Sequence, residues 1–157
     1  MEYTTTDAAS TQAVGAALAP LLQAGDVILL DGDLGAGKTT FTKGVAAGLG
    51  IHRNIKSPTF NLIKEYHQGR LPLYHMDVYR LEGVGGADLG LQEYFNGSGV
   101  SLVEWSQFVA EDLPQDFLMI RLQKDDDDFD RRKIIFTPHG DRYATLVDQL
   151  AQQLHTN

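Results

Sequence analysis

Val27-Ile28-Leu29-Leu30-Asp31-Gly32-Asp33-Leu34-Gly35-Ala36-Gly37-Lys38-Thr39-Thr40 is the stretch that decides the fold. Its apolar run leads into Gly32 to Thr39, a G-x-x-x-x-G-K-[ST] phosphate-binding loop. A helix-compatible run over 40–49 follows directly. Gly32, Gly35 and Gly37 let the backbone curl so that successive N–H groups face inward as an anion nest. The new helix adds its positive N-terminal end at the same spot. Lys38 then reaches the β- and γ-phosphates, and the Thr39 hydroxyl is suited to Mg²⁺. Asp33, Leu34, Gly35, Ala36, Gly37, Lys38, Thr39 and Thr40 are accordingly read as the nucleotide-binding segment. The rival reading, a glycine-rich turn between a strand and a helix, leaves Lys38 and Thr39 without a purpose. The stretch reads as a nucleoside triphosphate site.

Working outward, the strand 26–31 is apolar at every interior position, as expected for one covered on both faces of a parallel sheet. Phe41, Val45 and Leu49 form one face of the following helix, with Gly48 and Gly50 as its stop. Upstream, 6–23 reads as a helix capped by Asp7 or Thr6. Val14, Ala17, Leu18, Leu21 and Leu22 recur at helical spacing there, and Pro20 should kink or end it. Downstream, 51–58 is a loop leading to Ser57-Pro58-Thr59-Phe60. Strands are predicted over 60–66 and 71–77, joined by a hairpin turn at 67–70. Residues 80–99 hold six glycines and read as loops with a short helix. Val100 to Val103 is a strand ending in Glu104-Trp105. Strands over 117–123 and 132–137 flank Lys124-Asp125-Asp126-Asp127-Asp128. The segment 141–154 is a helix with Tyr143, Leu146, Val147, Leu150 and Leu154 on one face. No repeat or linker is visible. The expectation is one α/β domain over 1–157, a P-loop NTPase-like fold with a mostly parallel central sheet, flanking helices and antiparallel edge strands.

The 157 residues are 43% hydrophobic and 22% charged, ordinary for a globular chain. No apolar run of about 18 residues occurs, so no membrane association is expected. The first residues lack the basic and apolar regions of a signal peptide, which makes a cytoplasmic setting the expectation. There are no cysteines, so disulfides and thiolate metal sites are excluded. Asn96-Gly97-Ser98 matches a glycosylation sequon and reads as a turn. With 21 acidic against 13 basic side chains the net charge is −8. Such a surface repels phosphate backbones, which disfavours direct nucleic-acid binding by this chain alone. A nucleotide binder working with protein partners fits that balance.

Ligands of open α/β sheets bind outside the carboxyl ends of the strands. At that edge one strand ends in the phosphate loop, one in Asp77 and one in Glu104. Phosphoryl transfer needs Mg²⁺ across the β- and γ-phosphates and a group that orients the attacking water. Lys38, Asp77 and Glu104 are the candidate catalytic residues. Glu104, directly following an apolar strand, is assigned with Thr39 to the metal, and Asp77 to the water, although spacing alone leaves the two exchangeable. Thr59 reads equally as a γ-phosphate sensor or as a hydroxyl turn beside Pro58. Trp105 reads as a core aromatic or as a neighbour of the nucleotide. Asp125 to Asp128 reads as a solvated hairpin tip, since four adjacent carboxylates repel one another too strongly to share one metal. The five histidines form no H-x-x-x-H pair, so no zinc site is expected.

Gly32 to Thr40, Lys56-Ser57-Pro58-Thr59, Tyr74-His75-Met76-Asp77-Val78-Tyr79-Arg80-Leu81 and Leu102-Val103-Glu104-Trp105 together resemble the TsaE (YjeE) family, in its order and approximate spacing. The first motif is common to P-loop proteins, and the other three are far more specific. The resemblance runs from about Asp7 to Leu150. It implies an ATPase of bacterial tRNA threonylcarbamoyladenosine formation, acting as a switch on a TsaB–TsaD pair, with tRNA met only through those partners. Carried over by position, Thr39 and Glu104 would hold Mg²⁺, Asp77 would support hydrolysis of ATP, and Thr59 and Trp105 would belong to the switch region. Contacts from the segment around Thr6 are also implied. The chain departs from the family pattern in its glycine-rich residues 82–90.

Two rivals come from other classes. A small P-loop kinase would need an arginine-rich lid, and Arg53, Arg70 and Arg80 are the only spare arginines. A GTPase ranks lower still, since neither N-K-x-D nor D-x-x-G occurs. A nucleotide-sensing module without turnover is the remaining alternative, against which the carboxylates at Asp77 and Glu104 argue.

Overall fold

In the computed structural model, residues 1–33, 35–56, 58, 62–83, 85–86 and 89–156 are described, Thr156 through its backbone only. The expectations placed on Leu34, Ser57, Thr59 and Phe60 therefore lie outside the described residues. The elements in chain order are β1 (Glu2–Thr5), α1 (Ala8–Leu18), β2 (Val27–Gly32), α2 (Lys38–Gly48), β3 (Ile63–Tyr66), β4 (Leu73–Asp77), α3 (Leu91–Phe95), β5 (Val100–Glu104), β6 (Phe117–Lys124), β7 (Arg132–His139) and α4 (Asp141–Thr156). Short 3-10 segments occupy Ala19–Leu21, Tyr79–Leu81 and Ser106–Asp112.

The seven strands form one sheet in the order β1-β7-β6-β2-β5-β4-β3. β6, β2, β5 and β4 run parallel, while β1, β7 and β3 are antiparallel additions at the two edges. The mixed α/β architecture with a parallel centre is as the sequence predicts. The apolar run of β2 is explained by two covered faces. Ile28 and Leu30 pack with Val14, Leu18, Phe41, Val45, Leu146 and Leu150 beneath α1, α2 and α4. Val27 and Leu29 turn to the opposite face, against Met76, Leu91, Phe95, Val103 and Val109. Among the described residues, no helix is long and apolar enough to cross a membrane.

Asp7 is the N-cap of α1: its Oδ1 accepts from Ser10 N at 2.7 Å, and the Ser10 hydroxyl oxygen accepts from Asp7 N at 3.2 Å. Within the predicted segment 6–23 the helix starts at Ala8 and ends at Leu18, two residues before Pro20, the early end expected of the proline. One element was not predicted. Glu2–Thr5 is an edge strand on β7, at four residues too short to show a pattern in the sequence. Helix α2 ends at Gly48, as predicted, with Gly50 just beyond at a φ of 87°, and the smallness of Gly48 also serves packing: a Cβ there would stand 2.6 Å from Ala19 Cβ. Gly44 and Gly15 act likewise. A Cβ on Gly44 would overlap the Gln12 carbonyl oxygen, and one on Gly15 would stand 2.5 Å from Phe41 O. Helices α1 and α2 therefore cross backbone to backbone, which fixes the axis of the helix that follows the phosphate loop.

Candidate functional site

The phosphate loop leaves β2 beside β6, and there glycine is obligatory. A Cβ on Gly32 would stand 2.8 Å from the Leu122 carbonyl oxygen. Gly35 and Gly37 have φ of 80° and 105°, left-handed values that other residues adopt only with strain. Gly37 is the N-cap of α2 and Lys38 its first residue. Phe41 N donates to Gly37 O at 2.9 Å, and Thr42 Oγ1 donates to Lys38 O at 2.9 Å. The loop's outer wall is held by Arg132 at the start of β7. Its Nε donates to Ala36 O at 3.1 Å and its Nη2 to Gly35 O at 3.4 Å.

The parallel register brings the chemistry together. Leu30 lies opposite Glu104, and Glu104 opposite Asp77, so β2, β5 and β4 end level. Strand alternation puts His75, Asp77 and Glu104 on the face that carries α2. Glu104 is 3% exposed. Its Oε2 lies 2.6 Å from His75 Nε2 and its Oε1 3.6 Å from Lys38 Nζ. Lys38 Nζ also stands 4.9 Å from the centroid of the Trp105 ring, within cation–π range. Trp105 has a left-handed backbone, with φ of 62°, an outlier for a bulky residue. That turn lays its ring against Tyr79, 4.8 Å away edge-on, and Phe108, stacked at 5.8 Å. Asp77 Oδ1 accepts from Tyr79 N at 3.2 Å. Partial burial pushes the Asp77 carboxyl above its ordinary value. The Glu104 charge adds to the rise, while the Tyr79 N–H, His75 and Lys38 oppose it.

Gly35, Gly37, Lys38, Thr39, Thr40, Asp77, Glu104 and Trp105 line one cleft of about 280 Å³. Two predicted residues are not part of that lining, and two more lie outside the described residues. Ala36 turns its methyl into the core. Asp33 faces a separate cavity with Asp31, Arg121 and Asp126. Leu34 and Thr59 belong to the residues not described. The Asp125 to Asp128 segment forms the tip between β6 and β7 and is exposed over Asp126, Asp127 and Asp128, as read from its charge.

Sequence reasoning left two partners without a role. His75 is fully buried against Glu104; its signal was a polar residue inside an otherwise apolar strand. Arg132 had no local signal, because its contacts lie 96 and 97 positions away. A second cavity, of about 130 Å³, adjoins the loop and is bordered by Asp7, Thr11 and Arg132.

Among the described residues no three His, Asp or Glu side chains converge as a metal cage. A single buried carboxylate beside a hydroxyl suits Mg²⁺, which keeps several waters and takes one or two protein oxygens plus substrate phosphates. Thr39 and Glu104 fit that demand.

Comparison with known proteins gives the family. The family model "Threonylcarbamoyl adenosine biosynthesis protein TsaE" matches residues 5–134. The tRNA threonylcarbamoyladenosine biosynthesis protein TsaE of Bacillus subtilis (strain 168) is 51% identical over 152 residues, covering 97% of this chain and 94% of that one. Its counterpart in Treponema pallidum (strain Nichols) is 47% identical over 124 residues, 78% of this chain and 91% of that one. Among solved structures, that described as Bacillus subtilus YdiB superposes with a TM-score of 0.87 at 48% identity, covering 100% of this chain and 96% of that one. The match in sequence spans all three strand ends that form the cleft, and the match in structure spans the whole sheet: the chain belongs to the TsaE family of threonylcarbamoyl adenosine biosynthesis proteins.

Proposed function

We propose that this protein binds ATP with Mg²⁺ in the 280 Å³ cleft and hydrolyses it as the switch subunit of a TsaB–TsaD complex that modifies tRNA. The observation that carries this reading is the level ending of β2, β5 and β4, which gathers Lys38, Glu104 and Asp77 around the loop. Lys38 leaves its contact with Glu104 to reach the β- and γ-phosphates, and the loop N–H groups hold their oxygens. Glu104 and Thr39 would hold the metal, which when bound would offset the charge of the phosphates. Asp77, with its carboxyl raised above the ordinary value, orients the attacking water. The cavity beside Asp7, Thr11 and Arg132 takes the nucleoside end. The partners supply the tRNA contact, in keeping with a net charge of −8.

The sole tryptophan, Trp105, sits beside Lys38 and its fluorescence reports binding. Lys38→Ala should weaken ATP binding in that titration by two orders of magnitude or more, roughly 3 kcal/mol. Unchanged affinity would remove the phosphate-loop reading.

A further inference from the structure

We infer that His75 is a positioning residue that aims the Glu104 carboxylate at the metal; this rests on the magnesium site proposed above. His75 is 0% exposed, and its Nδ1 is buried with no hydrogen-bond partner among the described residues. Only Nε2 is engaged, 2.6 Å from Glu104 Oε2. Nε2 therefore carries the hydrogen and donates it, since the reverse arrangement would leave a buried N–H donor unpaired at Nδ1 and two acceptors face to face at Nε2. Glu104 is thus held at one oxygen by the Nε2–H, and Oε1 is the oxygen turned to Lys38. Without that hold the carboxylate would be free to rotate both oxygens onto Lys38. The lysine would then be tied up and the metal would lose its ligand. A buried imidazole with an orphaned nitrogen costs stability, and its retention inside an apolar strand is accounted for by this geometry.

Donors behind metal-binding carboxylates are worth about 10- to 100-fold in metal affinity. The test uses the full chain and three variants. Gln at position 75 places an amide N–H near the level of Nε2, Asn places one only near Nδ1, and Leu has none. Trp105 fluorescence gives the Mg²⁺ concentration at half-response with ATP present, and thermal melting reports the fold. His75→Leu and His75→Asn should raise that concentration at least tenfold, while His75→Gln stays within about threefold of the parent. If His75→Leu does not fold, the Gln and Asn variants carry the comparison alone. Equal Mg²⁺ requirements in the Gln and Asn variants would overturn the positioning role. A parent protein whose ATP binding ignores Mg²⁺ altogether would instead overturn the metal site itself.

Discussion

Replacing Glu104 with glutamine should do two opposite things. The ion pair with Lys38 spans 3.6 Å between side chains that are 4% and 11% exposed. Two unit charges at that distance attract by about 4.6 kcal/mol at an effective dielectric near 20. Desolvation of the buried pair offsets most of this, leaving roughly 1.5 kcal/mol that ATP must displace when it draws Lys38 to its phosphates. The same carboxylate also repels the triphosphate directly. Glu104→Gln removes both terms, and its side-chain carbonyl still accepts from His75. Without divalent metal, ATP should therefore bind the variant about tenfold more tightly than the parent. With Mg²⁺, the variant should gain no further affinity, and turnover should fall by about 100-fold or more. Fluorescence titration of Trp105 in EDTA and in Mg²⁺, with steady-state hydrolysis alongside, reads both effects. Binding in EDTA that is no tighter than the parent's would refute the idea that Glu104 restrains Lys38. Retained Mg²⁺ dependence would refute its metal role.

Other substitutions test the neighbouring parts. Asp77 has a folded-state carboxyl raised by burial, so its contribution to stability is present at low pH and is lost as pH rises through that raised value. Asp77→Asn should accordingly raise the melting temperature at neutral pH, with little change below the ordinary aspartate range, while abolishing most turnover; a lower melting temperature at pH 7 would show that the charge is compensated. Gly44→Ala drives a methyl into the Gln12 carbonyl where α1 crosses α2. It should destabilise by about 1–3 kcal/mol in urea unfolding, and an unchanged midpoint would show that the two helices separate easily.

The sheet's centre was legible because Val27 to Leu30 of β2 is an unbroken apolar run and β5 is apolar but for Ser101 and its final Glu104, as strands covered on both faces require. The phosphate loop was legible because its chemistry is local: three glycines, a lysine and a threonine within eight residues. Asp77 and Glu104 were legible as strand ends. Their level pairing across β4 and β5 was not, since register is a tertiary property. Tertiary packing also explains what was missed. Gly48 ends α2 as its position suggests, but its part with Gly15 and Gly44 in a contact between two helices has no local signal. Arg132 belongs to the loop through the β6–β7 pairing, and Glu2–Thr5 is a strand only because β7 offers an edge. His75 stood in view within a quoted motif, but its meaning depends on Glu104, 29 positions away.

The most direct test of the central claim is steady-state ATP hydrolysis by the purified chain, with and without Mg²⁺, alone and mixed with a TsaB–TsaD pair. Slow Mg²⁺-dependent turnover by the chain alone, rising clearly on mixing and abolished by Lys38→Ala, is the predicted result. Tight ATP binding with no turnover in any mixture would contradict it and leave a nucleotide-sensing module in the place of a switch ATPase.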